Sequence, residues 1–157
     1  MRRRALRAAS PALLAAYLVW LLFATLSPAS PATTGPVAVN LVPLRRIDET
    51  LALGSHLQTV RLLAGNVLVF VPFGVLFAVA TSRVGTRRAP VWLPTLLAGA
   101  VLSAGIELAQ LAISIAVGYA YRDPDIDDVL LNVAGVALGL ALLTAWERRR
   151  ERAAGRS

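Results

Sequence analysis

Four apolar stretches dominate the chain, and short segments between them carry nearly all of its charge. Ala12 to Leu26 is the shortest, extended by the neutral residues around it. Leu62 to Ser82 follows, with Asn66 its only strongly polar residue. Val91 to Val117 is long and holds a single charge, Glu107, and Val129 to Trp146 runs into an arginine cluster. A helix needs roughly 20 apolar residues, with a range of about 17–25, to cross the hydrocarbon core of a bilayer. The pattern therefore predicts an all-α integral membrane bundle of about four transmembrane helices. After the first span, Ser27-Pro28-Ala29-Ser30-Pro31 breaks the helix. Beyond it Leu44, Ile47, Leu51 and Leu57 recur at near-helical spacing among Arg45, Arg46, Asp48 and Glu49. That spacing fits a short amphipathic helix on the outer membrane surface and an ordinary connecting loop equally well.

Composition points to the same solvent. Apolar residues make up 57% and charged residues 16%, against about 45–50% and about 25% in soluble domains. The mean hydropathy is +0.65. The 157 residues suffice for a single domain, flanked by basic tails at 1–9 and 147–157. Cysteine is absent, which excludes a disulfide scaffold, a thiolate metal site and a cysteine nucleophile. A pI near 11.4 raises nucleic acid as a partner. All 16 basic residues are arginines, however, and they flank the apolar runs instead of interleaving with aromatic or polar surface, which is a membrane pattern.

The arginines also predict orientation. Arg2, Arg3, Arg4 and Arg7 precede the first span, Arg83, Arg87 and Arg88 lie between the second and third, and Arg148, Arg149, Arg150, Arg152 and Arg156 follow the fourth. The opposite side holds only Arg45, Arg46, Arg61 and Arg122, beside six carboxylates. The positive-inside rule then places both termini and the 83–90 loop in the cytoplasm, with 27–61 and 118–128 outside. A second reading of the first span is a cleaved signal peptide ending at Ser27-Pro28-Ala29. It leaves the orientation of the other three spans unchanged.

Polar side chains are expensive in lipid, so each needs a partner or a function. Ser103, Glu107, Gln110 and Ser114 fall on one helix face. Asp128, Asn132, Gly135 and Gly139 form a second stripe, and Asn66 shares a face with Phe70 and Phe73. At about 1.5 Å rise per residue, Asn66 and Asn132 lie roughly 6 Å below the outer end, Gln110 roughly 10 Å and Glu107 roughly 15 Å. Three helices thus bring polar groups to overlapping depths, beneath an outer loop that supplies Arg122, Asp123, Asp125, Asp127 and Asp128. If they face one another they line an outward-facing polar pocket.

Plainer explanations exist for each group. Glu107 also serves as interhelical glue to Gln110 or Asn132. One or two of the aspartates serve as helix caps beside the positive end of the fourth helix dipole. Gly135 and Gly139 form a G-x-x-x-G pair suited to close helix packing, and Pro72 is expected to kink the second span. The run from Asp123 imitates an EF-hand loop, but Asp128 stands where glycine belongs and Ala134 where glutamate belongs. His56 is alone, and no G-x-S-x-G, P-loop or G-x-G-x-x-G occurs.

Four blocks carry a family resemblance: Asn40-Leu-Val-Pro-Leu44, Asn66-Val-Leu-Val-Phe-Val-Pro-Phe-Gly74, Ser103-Ala-Gly-Ile-Glu-Leu-Ala-Gln110, and Arg122-Asp-Pro-Asp-Ile-Asp-Asp-Val-Leu-Leu-Asn-Val-Ala-Gly135. In this order they resemble the VanZ-like family and cover Asn40 to about Gly139. One departure is Leu44, where the family pattern has an aromatic residue. The resemblance implies a cell-envelope setting and a link to antibiotic resistance. The family's named member lowers susceptibility to teicoplanin, a lipoglycopeptide acting on cell-wall precursors at the outer membrane face. It implies no catalytic residues.

The expectation from these readings is a non-enzymatic multi-pass protein of the bacterial cytoplasmic membrane. It binds an amphiphile, either a lipoglycopeptide or a lipid-linked envelope precursor, and has membrane lipids as neighbours. Arg122 pairs with an anionic group, Asn66, Gln110 and Asn132 hydrogen-bond sugar or peptide, and Glu107, Asp125 and Asp128 set the charge. No cofactor, metal or nucleic-acid partner is expected. The alternatives are a membrane enzyme on lipid-linked substrates, with Glu107 or Asp128 as general base, and a structural subunit of an envelope complex.

Overall fold

The computed structural model describes residues 2–27, 37–54, 56–81, 91–120 and 122–155, with side chains from Ala9 onward in the first helix. The Pro28–Pro31 break, the 82–90 loop with its three arginines, and Arg156 lie outside the described residues. Five helices occur in the order α1 (Arg2–Leu26), α2 (Arg45–Ala52), α3 (His56–Thr81), α4 (Trp92–Val117) and α5 (Ile126–Ala154). No strand forms among the described residues. The one β-type pairing among them is an isolated parallel bridge between Asn40 and Asp125. All helices but α2 are long and apolar enough to cross a membrane. Helix α2 is the short amphipathic element that the 44–57 periodicity allowed, although Leu57 belongs to α3, which starts six residues before the apolar run at Leu62.

Local chemistry sets the ends that matter. Asp125 caps α5: its extended backbone (φ −137°) lets the side chain accept from the Asp127 N–H at 2.9 Å. Helix α4 stops at Gly118, whose left-handed φ of 78° a side chain would oppose. Helix α3 runs unbroken through Pro72.

The bundle is built on the parallel pair α3 and α5. A Cβ on Gly135 would meet the Val67 carbonyl oxygen, one on Gly139 the Val71 oxygen, and one on Gly74 the Val136 oxygen. Each obstacle is backbone, so glycine is what permits this approach, and the G-x-x-x-G reading is borne out. Helix α4 packs antiparallel on α5, and Gly99 leaves room for Val136. Helix α1 lies against α3, with Leu21 fully buried and the Tyr17 hydroxyl donating to the Val69 carbonyl. Phe70 and Phe73 are buried with ring centroids 6.3 Å apart.

The side-chain distribution inverts that of a soluble domain. Val101 and Phe23 are 73% and 74% exposed, while Thr95, Ser103 and Ser114 are 0% exposed. With lipid outside, apolar surface is no liability, and polar groups turn inward to find partners.

Candidate functional site

The predicted polar residues converge at one end of the bundle, where α3, α4 and α5 meet the 37–46 segment. Asn66 of α3 donates from Nδ2 to Asp128 Oδ1 of α5 at 2.5 Å. Deeper in, Asn132 Nδ2 of α5 donates to Ser103 Oγ of α4 at 2.8 Å. Glu107, nearly buried in α4, accepts the Asp125 N–H on Oε2 at 3.0 Å. The last bond satisfies an amide at the N-terminal end of α5, where a carboxylate also complements the helix dipole.

Gln110 and Ser114 face elsewhere. Gln110 donates from Nε2 to the Thr25 carbonyl at 2.9 Å, so it ties α4 to the end of α1. The Ser114 hydroxyl lies 2.9 Å from the Gln110 carbonyl and 3.1 Å from the Arg122 carbonyl, and its single proton serves one or the other. All four residues of the predicted α4 face are buried, but they serve three different neighbours.

Above this layer a strap is sewn to the loop that opens α5. Asn40 N donates to the Pro124 carbonyl at 2.9 Å, and Ile126 N donates to the Asn40 carbonyl at 3.0 Å. The Asn40 side chain donates from Nδ2 to Asp125 Oδ1 at 2.8 Å, and Ala38 N donates to Asp123 Oδ1 at 3.1 Å. Arg46 Nη1 reaches Asp125 Oδ2 at 3.0 Å, an ion pair with one exposed and one buried partner. Asp127, fully buried, accepts the Leu44 N–H on one oxygen and the Arg46 N–H on the other, the latter at 3.0 Å. Residue Leu44, the N-cap of α2, has no side-chain cap and a strained φ of 66°. Asp127 therefore caps α2 from α5.

Asn40 and Arg46 were not among the predicted site residues, and Asp127 was counted only as part of the acidic outer loop, with no role of its own. Arg46 and Asp127 have no lipid-exposed placement to flag them, and their partners lie about eighty positions away. Asn40 and Asp127 do fall inside the blocks of family resemblance, which was the available signal.

Two polar atoms in the cluster remain without partners. Arg122 Nε and Asn132 Oδ1 are buried and make no hydrogen bond, as is Thr95 Oγ1 farther along α4. Turning the Asn132 amide would not help, because one end would still be orphaned. Among the described residues, no group of three or more His, Cys, Asp or Glu is placed to hold a metal ion.

The VanZ/LLP1 family model matches residues 11–147. No curated protein and no solved structure matches the chain. The match covers α3 and α4, most of α1 and α5, the strap and the polar cluster, so the chain is a multi-pass membrane protein that belongs to the VanZ/LLP1 family.

Proposed function

We propose that this protein binds an amphiphile, without transforming it, at the polar end of the bundle. The observation that carries this reading is the pair of orphaned buried atoms, the donor Arg122 Nε and the acceptor Asn132 Oδ1, beside the bonds Asn66–Asp128, Asn132–Ser103 and Glu107–Asp125. A buried polar group without a partner costs about 1–3 kcal/mol. A ligand offering an anionic oxygen to Arg122 and a hydroxyl or amide N–H to Asn132 recovers that loss. A lipid-linked envelope precursor or a lipoglycopeptide carries such groups beside an acyl or prenyl chain that the surrounding lipid accepts.

The cluster divides by partner. Asp125 and Asp127 are committed to the strap and to capping, whereas Asn66, Asp128 and Arg122 are only partly buried and lie where a headgroup would enter. The arginine distribution supports a bacterial cytoplasmic membrane location with both termini inside and the polar end outside.

The test compares lipids retained by the purified protein in wild type, Glu107→Gln and Asp128→Asn. The first substitution keeps an acceptor for the Asp125 N–H, and the second keeps one for Asn66, so both variants are expected to fold. Folded variants that lose a co-purifying amphiphile bear the reading out. Unchanged retention in both refutes it, and loss of expression in both assigns the cluster to structure alone.

A further inference from the structure

At the other end of the bundle from the polar cluster, Trp92 of α4 and the end of α5 border an open cleft of about 380 Å³. Its floor is Trp92 of α4 with Ala141 and Ala145 of α5, and its rim is Arg148, Arg149 and Arg152. Thr144 also lines it, but its hydroxyl is spent on the Leu140 carbonyl at 2.8 Å. Polar recognition there falls to the arginines. We propose that this cleft is a binding site for an anionic phospholipid, with the phosphate held by the three arginines and an acyl chain on the Trp92–Ala141–Ala145 floor.

Three observations support that occupant. First, among the described residues three arginines and no carboxylate line the cleft. Three guanidinium groups around one cleft call for a multiply accepting anion, which phosphate geometry satisfies. Second, depth fits a lipid. Arg148 lies about 33 Å along α5 from Ile126 at about 1.5 Å per residue, close to the roughly 30 Å hydrocarbon thickness. The arginines therefore reach headgroup level while Ala141 stays among acyl chains, and Trp92 sits where interfacial tryptophans do. Third, the helix-dipole alternative falls short. Cations compensate a helix dipole within its last turn, which accounts for Arg152 in α5 but not for Arg148 or Arg149. A soluble phosphate would use the rim and leave the apolar floor unfilled. This cleft is independent of the amphiphile site at the polar end.

Native mass spectrometry of the intact chain in detergent, titrated with phosphatidylglycerol or phosphatidylcholine, tests it. A micelle offers no extended anionic surface, so only arginines that touch the headgroup count. Preferential retention of phosphatidylglycerol is expected, falling about fivefold for Arg149→Gln and to the phosphatidylcholine level for the triple glutamine variant of 148, 149 and 152. Arg150→Gln removes the same charge outside the cleft, where Arg150 stacks over Trp146 at 4.2 Å, and should retain the lipid. Ala145→Phe fills the floor with every arginine in place and should lose it, so the idea does not depend on the triple variant folding. Equal retention of both lipids, equal losses for Arg149→Gln and Arg150→Gln, or full retention by Ala145→Phe would each overturn the site. So would displacement by inorganic phosphate alone at millimolar concentration, which would make the occupant a free anion.

Discussion

Gly135→Ala and Gly105→Ala are the same substitution in the interior of a helix, and the packing of α3 on α5 demands opposite outcomes. At Gly105 a Cβ meets nothing within 4 Å, so only the preference of a helix for alanine operates. That is a gain of about 0.8–1 kcal/mol, or about 2–4 °C in Tm for a chain of this size. At Gly135 the new Cβ falls on the Val67 carbonyl oxygen and lies 3.0 Å from both the Val67 carbonyl carbon and Phe70 Cβ. A helix-bonded carbonyl has no rotamer to escape into, so the helices must separate by on the order of 1 Å. A gap of about 0.5–1 Å already forfeits a quarter to a half of each dispersion contact, and overpacking of this kind costs about 1–3 kcal/mol. After subtracting the helical gain, the net loss is about 0–2 kcal/mol, or up to about 8 °C. Thermal unfolding of the two variants in one detergent, followed by size-exclusion recovery, reads the difference directly. Equal shifts for Gly135→Ala and Gly105→Ala would refute the close approach of α3 and α5.

Asp127→Asn keeps one acceptor where the carboxylate serves two N–H groups, so it should cost about 1.5–3 kcal/mol and loosen α2 first. Faster hydrogen exchange at 44–52 relative to α3 checks this. Tyr17→Phe should lower stability by about 0.5–1.5 kcal/mol through the lost bond to the Val69 carbonyl. An unchanged Tm would mean that the Tyr17 bond adds nothing to the docking of α1. Reporter fusions at Arg88 and at the C-terminus should report cytoplasm and one at Tyr119 the exterior. A cytoplasmic signal at Tyr119 would reverse the orientation.

Period and length made the long helices legible, because spanning lipid demands one unbroken apolar run per crossing. The boundaries were harder. Helix α1 extends back to Arg2 and α3 to His56, since a helix continues into the aqueous layer where composition no longer marks it. The Gly135–Gly139 spacing was readable because only close packing rewards glycine at that interval in a span. Which helix it met was not, because no pattern within α5 distinguishes the Val67–Val71 surface of α3 from α4.

The site was legible in depth but not in partnership. Rise per residue places Asn66, Glu107 and Asn132 toward the same end of the bundle, and the structure brings Asn66 and Asn132 into hydrogen bonds between helices. Partner choice depends on small rotations. Gln110 lies three residues from Glu107, yet it turns to the Thr25 carbonyl of α1 while Glu107 holds the Asp125 N–H. The strap escaped because its information is non-local. Asp127 looks like one more acidic residue in the first turn of α5, where the dipole alone would explain it. Its work is done at the start of α2, on a Leu44 whose own side chain cannot cap a helix. A leucine at a capping position with left-handed φ is therefore tolerated for a reason written some eighty residues later in the chain. The same coupling makes α2 and the mouth of the polar cluster a single unit. Asp128 bonds Asn66 of α3 while the adjacent Asp127 bonds the Leu44 and Arg46 N–H groups, so the first turn of α5 is tied to α3 and to the strap at once.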